Sequence, residues 1–347
     1  MRRHAMRILM VTPSFHPAVG GVETHVRRVS ECLSARGHAV TVLTHSEAPG
    51  EEQLGPIAVR RIPRENPWAA WRATRPHIAA ADILHCHDAY SYLHFCLPSA
   101  LLPPRRPTFC TFHGYESYPI RNEAVKRRRF VRRRVRDALC AGEFICRWYG
   151  TRCFGVTYGG VDAPATPSPP PARPCAVFVG RLAEDTSLLL YLDALATLRR
   201  ERQRNLPLLV VGDGPLRPIA QRFAEAQGLT VKFLGTVPDP TPVLAQASFA
   251  FVSGYLAIWQ ALSLRRLVFA VYENELKQDY LACFPQAGDT LSIAASADEL
   301  ADQLAAYLAD PAMGEERRER GAALAAEHPW DRVADLYLDM YRRHGLS

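Results

Sequence analysis

Three polar clusters in the first half of the chain each follow a short apolar run. Ser14 to Gly21 follow Ile8 to Val11, His85-Cys86-His87-Asp88 close the run from Ala81, and His113-Gly114-Tyr115-Glu116 follow Pro107 to Phe112. Gly20-Gly21 lead into an apolar stripe at three- and four-residue steps, Val22, Val26, Val29 and Leu33, with Arg27, Arg28 and Glu31 off it. A helix starting there presents unpaired N–H groups and the positive end of its dipole, and two glycines let a phosphate come close. A glycine pair before a helix also makes a plain turn. These residues alone support both readings equally, because neither G-x-G-x-x-G nor G-x-x-x-x-G-K-[ST] stands here. His85, Cys86 and His87 are metal-ligand types, but on a strand the histidines share one face and Cys86 takes the other. No second cluster has zinc-site spacing, so no metal is expected.

The densest charge is Lys126 to Arg136, KRRRFVRRRVR. As a basic helix with Phe130, Val131 and Val135 it suits an anionic membrane surface or acceptor, each cation near the surface adding about 1 kcal/mol. Arg127, Arg128, Arg132 and Arg133 are the expected contacts. The alternative is a solvated helix face. Nucleic acid is disfavoured, since no aromatic stacking platform accompanies the cations.

The elements that must carry these groups alternate. Strands are expected at Ile8–Val11, His38–Thr44, Ile57–Ile62, Ala81–Asp88 and Pro107–Gly114, with the acidic segment Glu47–Pro56 as a loop. Strands alternating with helices predict a doubly wound parallel sheet, in which ligands bind outside the carboxyl ends of the strands. The three polar clusters should therefore converge. From Asp162 to Pro174 the sequence is DAPATPSPPPARP, proline too dense for sheet or helix. The pattern then restarts with strands at Ala176–Val179, Leu208–Val211, Val231–Leu234, Phe249–Val252 and Leu267–Val271. The expected organisation is a first domain over 1–162, a linker over 163–174, a second domain over 175–329, and an amphipathic tail helix within 330–347 packing back. Two such halves imply a cleft between them.

With 347 residues, 48% hydrophobic and 22% charged, the composition is that of an ordinary globular protein of two α/β domains. The apolar run after MRRHAMR stops at Thr12-Pro13, short of a signal-peptide core, and no stretch reaches the length of a membrane span. Nine cysteines without a C-x-x-C pair point to free buried thiols in a reducing compartment, hence to the cytoplasm.

Taken in order, TPSFHPAVGGVETHV, RGHAVTVLT, DILHCHD, TFHGYE, YGGVD, FVGRL, LLVVGDGPLR, VKFLGTV and HPWDRVADLYLDMYRR resemble the family 4 glycosyltransferases. That resemblance spans nearly the whole chain. It implies the GT-B architecture, two Rossmann-like doubly wound domains facing a central cleft. It also implies transfer of a sugar from a nucleoside-diphosphate sugar to an acceptor hydroxyl, with retained anomeric configuration and no metal. Relatives commonly act on lipid-linked or cell-envelope glycan acceptors at the cytoplasmic face, so peripheral membrane contact is expected. The family's histidine near the reacting sugar falls on His113; the alternative is a buried strand-end histidine. Gly20, Gly21 and Arg181 fall at the donor phosphates, and Gly212 and Gly235 beside the nucleotide. Gly254, Tyr255 and Leu256 form a turn whose N–H groups face the diphosphate, and Gln260 falls at the ribose. Glu116 and the basic helix fall on the acceptor side.

The departures lie in the second half. Thr186 stands where a phosphate-binding lysine is usual, and Val252 where the first acid of an E-x7-E pair is usual, with Gln260 at the second. Arg265-Arg266-Leu267 replace a Gly-x-Pro, the arginines being either substitute phosphate cations or a solvated helix end. Glu273 and Lys277 fall on a loop that often faces the donor. These departures motivate a second reading, a catalytically weakened GT-B scaffold serving as partner of another transferase. A third, an epimerase or phosphorylase, would need a carboxylate-rich cleft or a cofactor lysine, and neither is found.

Overall fold

Arg7–Thr12 (β1) is buried along all but its first residue, as a strand covered on both faces must be. The computed structural model describes residues 5–63, 67–97, 105–162, 169 and 171–346. Strands Ala39–His45 (β2), Gly50–Leu54 (β3), Ile57–Ile62 (β4), Ile83–His87 (β5), Thr108–Phe112 (β6), Asp137–Ala141 (β7) and Gly155–Thr157 (β8) join β1 in one sheet, ordered β3-β4-β2-β1-β5-β6-β7-β8. Every pairing is parallel except β3 with β4. Strand order reverses at β1, which lies between β2 and β5, so the loops leaving β1, β5 and β6 emerge at one sheet edge.

The segment expected as an acidic loop holds β3. GEEQL lacks apolar alternation, and what pairs it is charge: Glu51 lies opposite Arg60 on β4 and forms an ion pair with it, and Glu52, opposite Val59, pairs diagonally with Arg61. The basic stretch also differs from expectation. Its helix spans Asn122–Arg132, and the chain turns through Arg133 to Arg136 into β7. Val131 and Val135 are buried in the core, which leaves only Phe130 of the three apolar residues partly exposed. Two of the three apolar residues expected to face a membrane are therefore spent on packing, while Arg127 and Arg133 stay exposed.

The second sheet contains Ala176–Val179 (β9), Leu208–Val211 (β10), Val231–Gly235 (β11), Phe249–Phe251 (β12), Leu267–Val271 (β13) and Leu291–Ala294 (β14). They run parallel in the order β11-β10-β9-β12-β13-β14, with the reversal at β9. Phe178, Phe251 and Phe269 on its strands pack with Tyr191 of the Leu188–Arg202 helix in one core.

The chain divides into two units, Met1–Gly159 with Trp330–Ser347, and Gly160–Pro329. Of the proline-rich segment, 163–168 and 170 lie outside the described residues. The closing helix Trp330–Arg343 packs on the Gly21–Ala35 helix of the first unit. There Arg36 meets Asp331 and Asp335 at 2.9 and 3.1 Å, and Tyr337 and Tyr341 are fully buried. Among the described residues no helix is long and apolar enough to cross a membrane.

Candidate active site

In the first unit the Gly21–Ala35 helix after β1, strand β5 and the segment leaving β6 bring four histidines together. His85 on β5 is held at both nitrogens, Nδ1 at 2.7 Å from the Tyr341 hydroxyl and Nε2 at 2.8 Å from Thr111 Oγ1. Tyr337 joins Thr111 (2.8 Å) and His25 Nε2 (2.9 Å), so the closing helix supplies the hydroxyls that organise the cluster. His87 Nδ1 lies 3.0 Å from His113 Nε2, and the His25 ring meets the His113 ring edge-on at 4.9 Å. Burial pushes His85 and His113 down to about 3, and His25 and His87 well below their ordinary value, so all four are neutral at pH 7. His87 Nε2 is buried without a partner. An unpaired acceptor costs less than an unpaired donor, which favours His87 Nδ1–H donating to His113 Nε2 and leaves His113 in its Nδ1–H form.

The backbone around His113 is fixed from two sides. Its N–H donates to Asp88 Oδ1 at 2.8 Å, and its carbonyl accepts from Arg128 Nη2 at 3.0 Å. Asp88 has φ +67°, and burial raises its carboxyl to about 6, with Arg128 opposing the rise. Arg128, only 3% exposed, also donates to the Gly114 carbonyl and to Glu116, and its guanidinium lies 4.0 Å over the Tyr149 ring. Burial would raise Glu116, but Arg128 and the Tyr149 hydroxyl outweigh it and hold the carboxyl below its ordinary value. Arg128 and Glu116, expected at an acceptor or membrane, instead hold the His113 loop. Arg132 is likewise committed, to the Arg152 carbonyl and to Asp137 at 2.9 Å. Arg127 and Arg133 are exposed. A run of arginines does not reveal which member points inward.

Gly20 caps the Gly21–Ala35 helix with no side-chain hydrogen bond, leaving the first-turn N–H groups of Gly21, Val22 and Glu23 clear of any side-chain cap. A Cβ at Gly21 would meet nothing within 4 Å, whereas one at Gly20 would lie 2.3 Å from the Glu23 carboxylate. Space stands open over Gly21, and Glu23 fills that over Gly20.

In the second unit three strands end side by side with polar groups. After β9, Arg181 is 73% exposed and meets Asp185 at 2.6 Å, while the Thr186 hydroxyl closes the turn onto the Arg181 and Ala183 carbonyls. After β12, the Ser253 carbonyl accepts from Lys277 Nζ at 2.8 Å. Lys277 stands in the helix Glu275–Ala282 that follows β13, where the Asn274 side chain caps the Lys277 N–H. Burial pushes Lys277 down to about 8, Asp185 opposing the fall and Arg181 adding to it. Two cations thus stand at the carboxyl ends of β9 and β13, the strands on either side of β12, one exposed and one buried.

Several expected donor contacts have other partners. The Tyr255 N–H donates to the Tyr280 hydroxyl at 3.1 Å, and the two rings stack at 4.0 Å, so Tyr255 belongs to the packing. Gly254, exposed at the N-terminus of the Tyr255–Ser263 helix, and half-buried Leu256 and Gln260 are left on that helix. Gly212 has φ +132°, and a Cβ there would stand 1.9 Å from the Gly180 carbonyl oxygen. Its N–H donates to the Gly235 carbonyl at 2.8 Å, so Gly212 and Gly235 lock the loops after β10 and β11 together. Val252 is fully buried. Arg266 is 1% exposed and bonds the Ala245 carbonyl, so it is neither a phosphate cation nor a solvated helix end, while Arg265 stays partly exposed past the end of the Tyr255–Ser263 helix and pairs with Glu315 and Glu319.

Residues 19–149 match the family described as Glycosyltransferase Family 4, and residues 173–310 the one described as Glycosyl transferases group 1. The alpha-D-kanosaminyltransferase of Streptomyces kanamyceticus is 27% identical over 186 residues, 50% of this chain and 47% of that one. The chain thus spans about half that relative's length. The phosphatidyl-myo-inositol mannosyltransferase of Mycolicibacterium smegmatis is 27% identical over 267 residues, 70% of this chain and 68% of that one. A glycosyltransferase structure from Rickettsia africae superposes with a TM-score of 0.75 at 14% identity, covering 98% of both chains, and shows the same fold.

Proposed function

We propose that this chain, which belongs to the family 4, group 1 glycosyltransferases, moves a sugar from a nucleoside-diphosphate sugar to an acceptor hydroxyl with retention of anomeric configuration. The observation that supports it best is the grouping of Arg181, Lys277 and the Ser253 carbonyl at neighbouring strand ends of the second sheet. As the glycosidic bond breaks, negative charge gathers on the departing diphosphate, and fixed cations aimed at it lower the barrier. The planar guanidinium of Arg181 suits phosphate oxygens. Lys277 supplies the second charge that Thr186 does not. The chain has no D-x-D anchor for a metal-held diphosphate, and these cations are proposed in its place. Gly254 and Leu256 would add backbone N–H groups, and Gln260 a ribose contact.

The first unit is assigned the acceptor. His113, neutral and in its Nδ1–H form, offers a hydrogen-bond donor to a sugar or acceptor hydroxyl rather than a charge. The M. smegmatis relative is named for a phosphatidyl-myo-inositol acceptor, and a lipid-linked or cell-envelope glycan is the acceptor class proposed here. Exposed Arg127 and Arg133 would meet an anionic surface at the cytoplasmic face.

The test is incubation with a panel of nucleoside-diphosphate sugars and glycolipid acceptors, following the anomeric proton by NMR, with chelator present and absent. A product of retained configuration, lost in Arg181→Ala, supports the reading. An inverted product, or dependence on an added divalent ion, overturns that part of it. Fully buried Val252, which presents no acid to a sugar, favours one alternative, a weakened scaffold. It predicts no slow hydrolysis of any donor and co-purification with an active transferase.

A further inference from the structure

Nine cysteines scattered along the sequence do not stay scattered in the fold. Cys140 lies on β7, Cys146 on the Glu143–Tyr149 helix and Cys153 in the loop before β8, a C-x5-C-x6-C spacing that matches no familiar metal motif. Their sulfurs all lie within 4.8 Å of one another, with Cys146 and Cys153 at 3.3 Å. A disulfide would bring two sulfurs to about 2.05 Å, whereas thiolates on a tetrahedral zinc stand roughly 3.8 Å apart, as zinc–sulfur bonds of about 2.3 Å require. The sulfurs stand too far apart for a disulfide and near the spacing that a shared ion would set.

We propose that Cys140, Cys146 and Cys153 bind one thiophilic metal ion of the Zn2+ kind, with water in the fourth position. Soft thiolates select such ions over Mg2+ or Ca2+. Cys140 is buried while Cys146 and Cys153 are half-buried, so an ion has a route in and a water can complete the tetrahedron. Binding releases the S–H protons to solvent and leaves the site at one net negative charge. Mechanically, the ion ties β7, the Glu143–Tyr149 helix and the approach to edge strand β8 together. That helix carries Tyr149, over which Arg128 lies.

The test uses the full chain, reduced with a phosphine and stripped with a chelator. Titrated with Co2+, it should develop tetrahedral d–d bands and a thiolate charge-transfer band saturating at one ion per chain, displaced by Zn2+. With Zn2+ bound, mass spectrometry after alkylation should show Cys140, Cys146 and Cys153 protected and Cys175 labelled. Cys146→Ser and Cys153→Ser should each lower affinity at least tenfold, and Cys175→Ser should not. The alkylation readout on the unaltered protein keeps the test valid if a variant misfolds. Absence of stoichiometric cobalt bands, protection elsewhere than these three, or a Cys146–Cys153 disulfide in a protein that ignores Zn2+ once reduced would overturn the proposal.

Discussion

The two units place polar groups at the same kind of sheet edge and treat charge in opposite ways. The first buries four histidines and drives them all neutral, keeping their geometry with tyrosine and threonine hydroxyls and one buried arginine. The second retains charge, exposing Arg181 and keeping Lys277 protonated below about pH 8 despite burial. Neutral groups fixed by a network can orient hydroxyls without attracting anions, while cations can hold a diphosphate without shaping an acceptor. The difference teaches that one fold, used twice, is adapted by what it places at its strand ends rather than by its core.

The largest effect that would break this contrast concerns His113. His113→Ala should lower transfer by roughly 10²- to 10³-fold, the cost of losing one preorganised hydrogen-bond donor, while leaving nucleoside-diphosphate affinity unchanged. Equal loss of both in kinetics and calorimetry would mean that the first unit also binds the donor. Next is Arg128→Met, which strips hydrogen bonds from the His113 and Gly114 carbonyls and takes the cation from Glu116, leaving it the Tyr149 hydroxyl. It should cost about 2–4 kcal/mol in a urea unfolding midpoint. A loss of vesicle binding with no change in stability would return Arg128 to the surface role read from the sequence.

Lys277→Met should weaken diphosphate binding roughly tenfold or more. In the unaltered protein, affinity should fall as pH rises through about 8, where Lys277 loses its proton, and the variant should lack that limb. Stability runs the other way. The unfolded lysine holds its proton to its ordinary 10.5, so the unfolded chain binds the extra proton between about 8 and 10.5, and this residue destabilises the fold fully below that window and progressively less across it. The smallest effect belongs to Arg127→Gln with Arg133→Gln. These should leave the unfolding midpoint within error and reduce salt-sensitive pelleting with anionic vesicles, and unchanged pelleting would remove the membrane from the account.

Much of the fold was legible because period and punctuation agree. ILMV, LLVV and LVFAV read as buried parallel strands, and Val22 to Leu33 read as a helix behind two glycines. β3 was not legible, since GEEQL gains its partners only from Arg60 and Arg61 on the neighbouring strand, which form ion pairs with its acids. In the site, His113 stood out by its place after β6, but the partners that make it neutral come from Gly21–Ala35, β5 and Trp330–Arg343, distances no local pattern encodes. Arg128 was indistinguishable from Arg127 in a run of like residues. Gly212 carried a motif whose first demand is a close backbone approach to Gly180. The convergence of Cys140, Cys146 and Cys153 depends on how β7, a short helix and a loop meet, and their spacing alone gave no signal.

The most direct measurement is calorimetric titration of UDP, GDP, ADP and dTDP into the purified protein and into Arg181→Ala and Lys277→Met. The account predicts micromolar binding of one of them, weakened by either substitution and by raising the pH above about 8. Binding of none, or binding indifferent to both substitutions, would contradict the assignment of these cations to a donor diphosphate.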